Sequence, residues 1–161
     1  MDAPRLSRIG HRTVLLLPPR MSAALRSAIP AFRTFRRADY SPTMPDTIYG
    51  DPTKEAHFAV IGDFDGDHRP DVALYGRADS VVFVLAILNE TTGARVLEVE
   101  RDSADQRSPV QGVLSYDSPG DKNYGDERFH LDNDAFSLVA EWGSTLYYYE
   151  KGKFERIVAG D

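Results

Sequence analysis

Asp63, Asp65, Asp67 and Asp71 fall at relative positions 1, 3, 5 and 9 of a loop inside the stretch 58–76, FAVIGDFDGDHRPDVALYG. Four carboxylates this close repel one another unless a cation sits among them. Ca2+ takes about six to eight oxygens and accepts the irregular geometry that a short loop supplies. With alternate side chains aimed at one centre, Asp63, Asp65 and Asp67 would each offer a carboxylate oxygen and Arg69 its backbone carbonyl, and Asp71 would close the site as the next strand begins. Gly66 lies where the chain must curl tightly. The competing reading is an Asp-rich turn that holds no ion.

Other side chains carry weaker signals. The histidines, His11, His57, His68 and His130, show no paired spacing of the kind a zinc site uses, although His57 and His130 lie near predicted strand ends. There is no cysteine, so thiolate metal sites, disulfides and a Cys nucleophile are excluded. No serine lies in a Gly-x-Ser-x-Gly elbow, and no phosphate-binding or dinucleotide fingerprint occurs. A metal-dependent hydrolase using the aspartates with His57, His68 or His130 is the enzymatic alternative.

The loop residues resemble a known family. GDFDGDHRPDV is similar to the calcium loop of FG-GAP/VCBS-type repeats, written Gly-Asp-Phe-Asn/Asp-Gly-Asp-Gly-x-x-Asp and followed by a hydrophobic strand. Gly62, Asp63, Phe64, Asp65, Gly66, Asp67, Pro70, Asp71 and Val72 match it. The resemblance implies that the aspartates ligate Ca2+, that Phe64 packs inward and that the ion pins a turn between strands. It also implies an extracytoplasmic setting. His68 departs from the pattern, standing where the family has glycine at a left-handed turn. The match covers about 20 residues in a single copy, so a full propeller of the integrin type is not expected. The ending, from Asp134-Ala135 through STLYYYEKGKFERI, looks like that of small bacterial proteins with one such loop.

The elements that would position the loop are mostly strands. Residues 57–61 and 71–75 flank it. The run SVVFVLAIL over 80–88 is β-branched-rich and bounded by turn residues, which predicts a buried central strand paired with 94–100. Further strands are predicted over 112–116, 128–131, 135–141, 145–149 and 154–158, with 118–126 as a turn-rich connection. Residues 13–17 form a short strand, and 41–55 a connection with three prolines. A short helix follows Pro18-Pro19, with Ser22 as its cap, a stripe of Met21, Leu25 and Ile29, and Pro30 as its stop. Phe32 and Phe35 are expected to pack on the sheet. The fold class is α+β, mainly β: one antiparallel meander sheet with the N-terminal helix packed on it, since the connections are too short for parallel crossovers. Residues 1–12 are expected to form a disordered arm, and 13–161 a single β-rich domain.

Charge is uneven along the chain. Residues 1–37 carry eight arginines against Asp2 alone, while the remainder carries 11 basic residues against 24 acids. An acidic body suits a cation and disfavours nucleic acid. No apolar run approaches the roughly 20 residues that span a bilayer, and Val14-Leu15-Leu16-Leu17 is too short for a secretory signal. Trp142, Tyr147, Tyr148, Tyr149 and Phe154 form an aromatic cluster. One strand face of it is core, and the other is a possible carbohydrate- or protein-binding strip. Together these features describe a calcium-binding module whose partner is another protein or a glycan, with an adaptor protein that uses no metal as a third reading.

Overall fold

Alternating apolar residues that must be buried on both faces dictate a layered arrangement. The structure, a computed structural model, describes residues 2–45, 48, 50–103 and 108–160. The chain begins with a hairpin of β1 (Arg5–Ile9) and β2 (Arg12–Leu16), followed by α1 (Pro19–Ala28). Next come β3 (Arg33–Thr34), β4 (Glu55–Ala56), β5 (Ala59–Gly62), β6 (Asp71–Ala78), β7 (Val81–Glu90) and β8 (Gly93–Ser103). These form a six-stranded sheet in the order β4-β5-β6-β7-β8, with β3 paired to β6. The chain then runs through β9 (Val113–Asp117), β10 (Gly120–Tyr124), β11 (Glu127–Leu131), β12 (Ala135–Ala140), β13 (Gly143–Glu150) and β14 (Lys153–Gly160). Strands β14-β13-β12-β9 make a four-stranded sheet, and β10-β11 a separate hairpin. The pairings between these strands are antiparallel, and a parallel bridge joins Tyr40 to Val110 outside them. The mainly β, antiparallel class with one α-helix is as the sequence predicts, and among the described residues there is no closed barrel or propeller. The strands are divided among several sheets rather than held in one.

The period of two explains the layers. On β7, Phe83, Leu85 and Ile87 face one way and join Val72, Leu74 and Met21 in a core beneath α1 and the first hairpin. Val84 and Leu88 face the other way and meet Leu114, Phe136, Leu138 and Tyr147 of the four-stranded sheet. A smaller core of Leu131, Ala135 and Leu146 lies under β10-β11. The six-stranded sheet is therefore covered on both faces, which is why 80–88 reads as a continuous apolar run.

Three local expectations change. The arm expected to be disordered over 1–12 contains β1, because Leu6 packs with Leu15 on the core under α1 and Gly10, at φ +63°, supplies the turn. Ser22 lies inside α1 and does not cap it. Pro18 is the N-cap and Pro19 opens the helix, where a missing N–H costs nothing. The stripe itself holds, with Met21 buried and Leu25 and Ile29 packed on the core. Part of the turn-rich 118–126 is β10. Its prolyl and glycyl residues mark its ends, while Tyr124 packs on the third core. Phe32 and Phe35 pack on the sheet as predicted, edge-on to Phe83 and Tyr75. No helix among the described residues is long and apolar enough to cross a membrane.

Candidate metal centre

The loop connects β5 to β6 at one end of the two packed sheets. It is anchored by Phe64, which is fully buried with its ring centroid 5.2 Å from that of Phe136 and 6.1 Å from that of Phe154. Gly62 permits this approach: a Cβ there would lie 2.9 Å from the Asp134 Cβ and 3.0 Å from the Phe64 ring. The loop then turns through two left-handed residues, Gly66 at φ +79° and His68 at φ +68°. His68 thus occupies the conformation that its place in the motif demands, at the energetic cost of a Cβ.

Asp63, Asp65 and Asp71 each bring one carboxylate oxygen within 4.8 Å of the others. Asp67 is outside this triad and instead accepts a 2.8 Å hydrogen bond from the Arg69 N–H. Arg69 sends its guanidinium to the Asn89 carbonyl at 2.7 Å. Asp63 accepts from the N–H groups of Gly66 and His68, both at 2.9 Å, which ties both left-handed residues to one carboxylate. Asp71 is fully buried and accepts from the N–H groups of Phe64 at 2.9 Å and Asn89 at 2.8 Å.

The electrostatics follow from this crowding. Burial pushes the Asp71 carboxyl up to about 7, against the pull of its two N–H donors and with the charges of Asp65 and Asp67 adding to the rise. Asp65 is pushed up to about 6, first by desolvation and then by the charges of Asp67 and Asp63. Each oxygen engaged by an N–H keeps a second lone pair. The donor set of three converging carboxylates is all-oxygen and anionic, which fits a hard cation.

Several residues that hold the loop carry no signal in the sequence. Asp134 accepts from the Asp63 N–H at 2.8 Å and from the Tyr116 hydroxyl at 2.5 Å. Asn133 closes over Gly66, where a Cβ would meet its Oδ1 at 2.6 Å. Asn89, almost fully buried, also receives the Arg20 guanidinium and donates to the Asp2 carbonyl at 3.2 Å, joining the loop to the N-terminal segment. Asp132-Asn133-Asp134 lacks the glycine and the period of a second such loop, yet it buttresses the first.

The histidines do not join the triad. His57 lies edge-on to Tyr40, and His130 is bonded to Asp121 at 2.7 Å. His68 has its Nδ1 3.9 Å from Asp63, but its side chain is 96% exposed. The aromatic cluster is also absorbed. Tyr147 is core, Tyr148 stacks on Phe129 of β11, and Tyr149 meets Phe154, which leaves Trp142 as the exposed member. No protein-family model matches the chain, and none of the curated proteins or solved structures matches it either.

Proposed function

We propose that the 63–71 loop holds one Ca2+ as a structural ion, and that the chain is an FG-GAP/VCBS-like binding module whose partner is another protein or a glycan. The observation that carries the reading is the convergence of Asp63, Asp65 and Asp71, one of them fully buried, with the Arg69 guanidinium turned away to the Asn89 carbonyl and the His68 ring out in solvent. The left-handed turns and the inward Phe64 agree with the loop type that the sequence resembles. A cation there would relieve the mutual repulsion and brace the β5–β6 connection against β12. The remaining oxygens would come from Asp67, the Arg69 carbonyl and water.

The test is a thermal melt with excess Ca2+, with excess Mg2+ and with EDTA, on the wild-type protein and on Asp65→Asn. An ion that binds only the folded state stabilises it by about 2.7 kcal/mol at a hundredfold excess over Kd. The wild type should gain in Ca2+ and much less in Mg2+, and the variant should not respond. A wild-type melt unmoved by Ca2+ overturns the reading.

A further inference from the structure

At the end of the sheets away from the loop, the two sheets diverge and leave a cavity of about 760 Å³ between β7-β8 and β12-β14. That volume lies within the roughly 300–1,000 Å³ of small-molecule sites. A β-bulge builds its chemistry. On β8, the register opposite β7 shifts between Val84 and Leu85, so that Leu85 opposes Glu98 and Val84 opposes Glu100, with Val99 in excess. Without the bulge, the side of β8 that carries Leu97 into the inter-sheet core would continue with Arg101. With it, Glu100 and Asp102 are turned onto that side, and Arg101 falls on the opposite face over the Phe83 ring, 5.2 Å away.

The two carboxylates differ in their partners. Glu100 is satisfied by the Tyr147 hydroxyl and by Arg156, the latter at 2.6 Å. Asp102 has no cationic partner among the described residues. Arg156 is held by Glu100, Arg101 by Glu98, and Arg77 donates to the Asp79 carbonyl. Among the described residues that line the cavity, Asp102 is thus the carboxylate without a cation beside it. Burial, with the negative potential of Asp102 and Glu100, pushes the Tyr75 phenol in the wall up to about 12 and keeps it a neutral hydrogen-bonding group. Above the charges the lining turns apolar, with Leu138, Val158 and the Trp142 indole, the last two 61% and 58% exposed. An indole face attracts organic cations.

From the cavity's size, the bulge-directed Asp102 and the exposed Trp142, we infer that this cleft binds a small organic monocation, an ammonium head on an aryl or alkyl body. The head pairs with Asp102 and the Tyr75 hydroxyl, and the body lies along Trp142 and Val158. The site shares no residue with the calcium loop, so the two readings fail separately.

Trp142 is the single tryptophan of the chain, so its fluorescence reports on the mouth of the cleft. The experiment titrates the full chain with 2-phenylethylammonium, with the neutral 2-phenylethanol and with the anionic 3-phenylpropionate, and follows 15N amide shifts at Thr145 and Val158 in parallel. The cation should bind saturably and at least tenfold more tightly than either analogue. Asp102→Asn, at an exposed position, should weaken the cation at least tenfold and leave the alcohol unchanged. Asp65→Asn, in the loop, should leave cation binding intact. Equal binding of the three probes, or no saturation by either readout up to about 10 mM (about −2.7 kcal/mol), overturns the inference. Preferential binding of a lysine-containing peptide over 2-phenylethylammonium also overturns it, in favour of a protein partner.

Discussion

Binding of Ca2+ to the loop should expel protons, and the number follows from the structure. In the cation-free protein Asp71 titrates at about 7 and Asp65 at about 6, and both must be carboxylates to act as ligands. At pH 6 they hold about 0.9 and 0.5 proton, so that each ion displaces about 1.4 protons. At pH 8 the figure falls to about 0.1, because both are already ionised. The same competition raises the apparent Kd about 20-fold between pH 8 and pH 6. Isothermal titration of Ca2+ into EDTA-stripped, dialysed protein measures both quantities, using pairs of non-chelating buffers with different ionisation enthalpies. Asp71→Asn should lower the release at pH 6 to about 0.5 proton, provided that binding survives. Proton release near zero at pH 6, or constant from pH 6 to 8, would refute the assignment of Asp65 and Asp71 as crowded ligands whose burial suppresses ionisation.

The metal-free protein should show an inverted pH dependence. Folded Asp71 keeps its proton to about pH 7 while the unfolded chain releases it near 3.8, so the folded state binds more protons in that window and loses up to about 4 kcal/mol as pH rises through it. Urea melts in EDTA at pH 5 and pH 7.5 should show about 2.5 kcal/mol of that loss, which Asp71→Asn should remove. His68→Gly should raise stability by up to about 1.6 kcal/mol, since the left-handed conformation costs a Cβ-bearing residue roughly 1–2 kcal/mol and the added unfolded-state freedom returns about 0.4–1; the midpoint of chemical denaturation reports it, together with a tighter Ca2+ Kd. Asp134→Ala deprives the Asp63 N–H and the Tyr116 hydroxyl of their acceptor and should cost about 1–3 kcal/mol. Its Ca2+ affinity, measured by the same titration, should fall as the loop loses its brace.

What the sequence discloses here is what depends on neighbours along the chain. The strands flanking the loop and the helix stripe of Met21, Leu25 and Ile29 follow from local period, and the left-handed turn at His68 is what the resemblance to FG-GAP/VCBS-type loops implies. The features that depend on register between distant strands are silent. Nothing local in Asp132-Asn133-Asp134 says that β12 will set Asp134 beside the Asp63 N–H, 71 residues away in sequence. Nothing in ARVLEVERDS says that Val99 will be the extra residue of a bulge. Read as an unbroken strand, that segment sends Glu98, Glu100 and Asp102 to one face, alternating with Leu97, Val99 and Arg101. The bulge splits the set, leaving Glu98 on the α1 side to hold Arg101 and turning Glu100 and Asp102 between the sheets. A single inserted residue changes the face of every side chain beyond it. An edge strand that needed only to cover the core could have kept its leucine and valine inward along its whole length. Placing two carboxylates there disfavours burial, and the structure offsets it for Glu100 with Arg156 and Tyr147, while Asp102, exposed at the cavity, has no cationic partner among the described residues. The inner face of β8 thus departs from apolar at both ends: Arg95 meets the Tyr149 hydroxyl and Glu90 near the loop, whereas Asp102 lies where the sheets separate and a ligand can reach it.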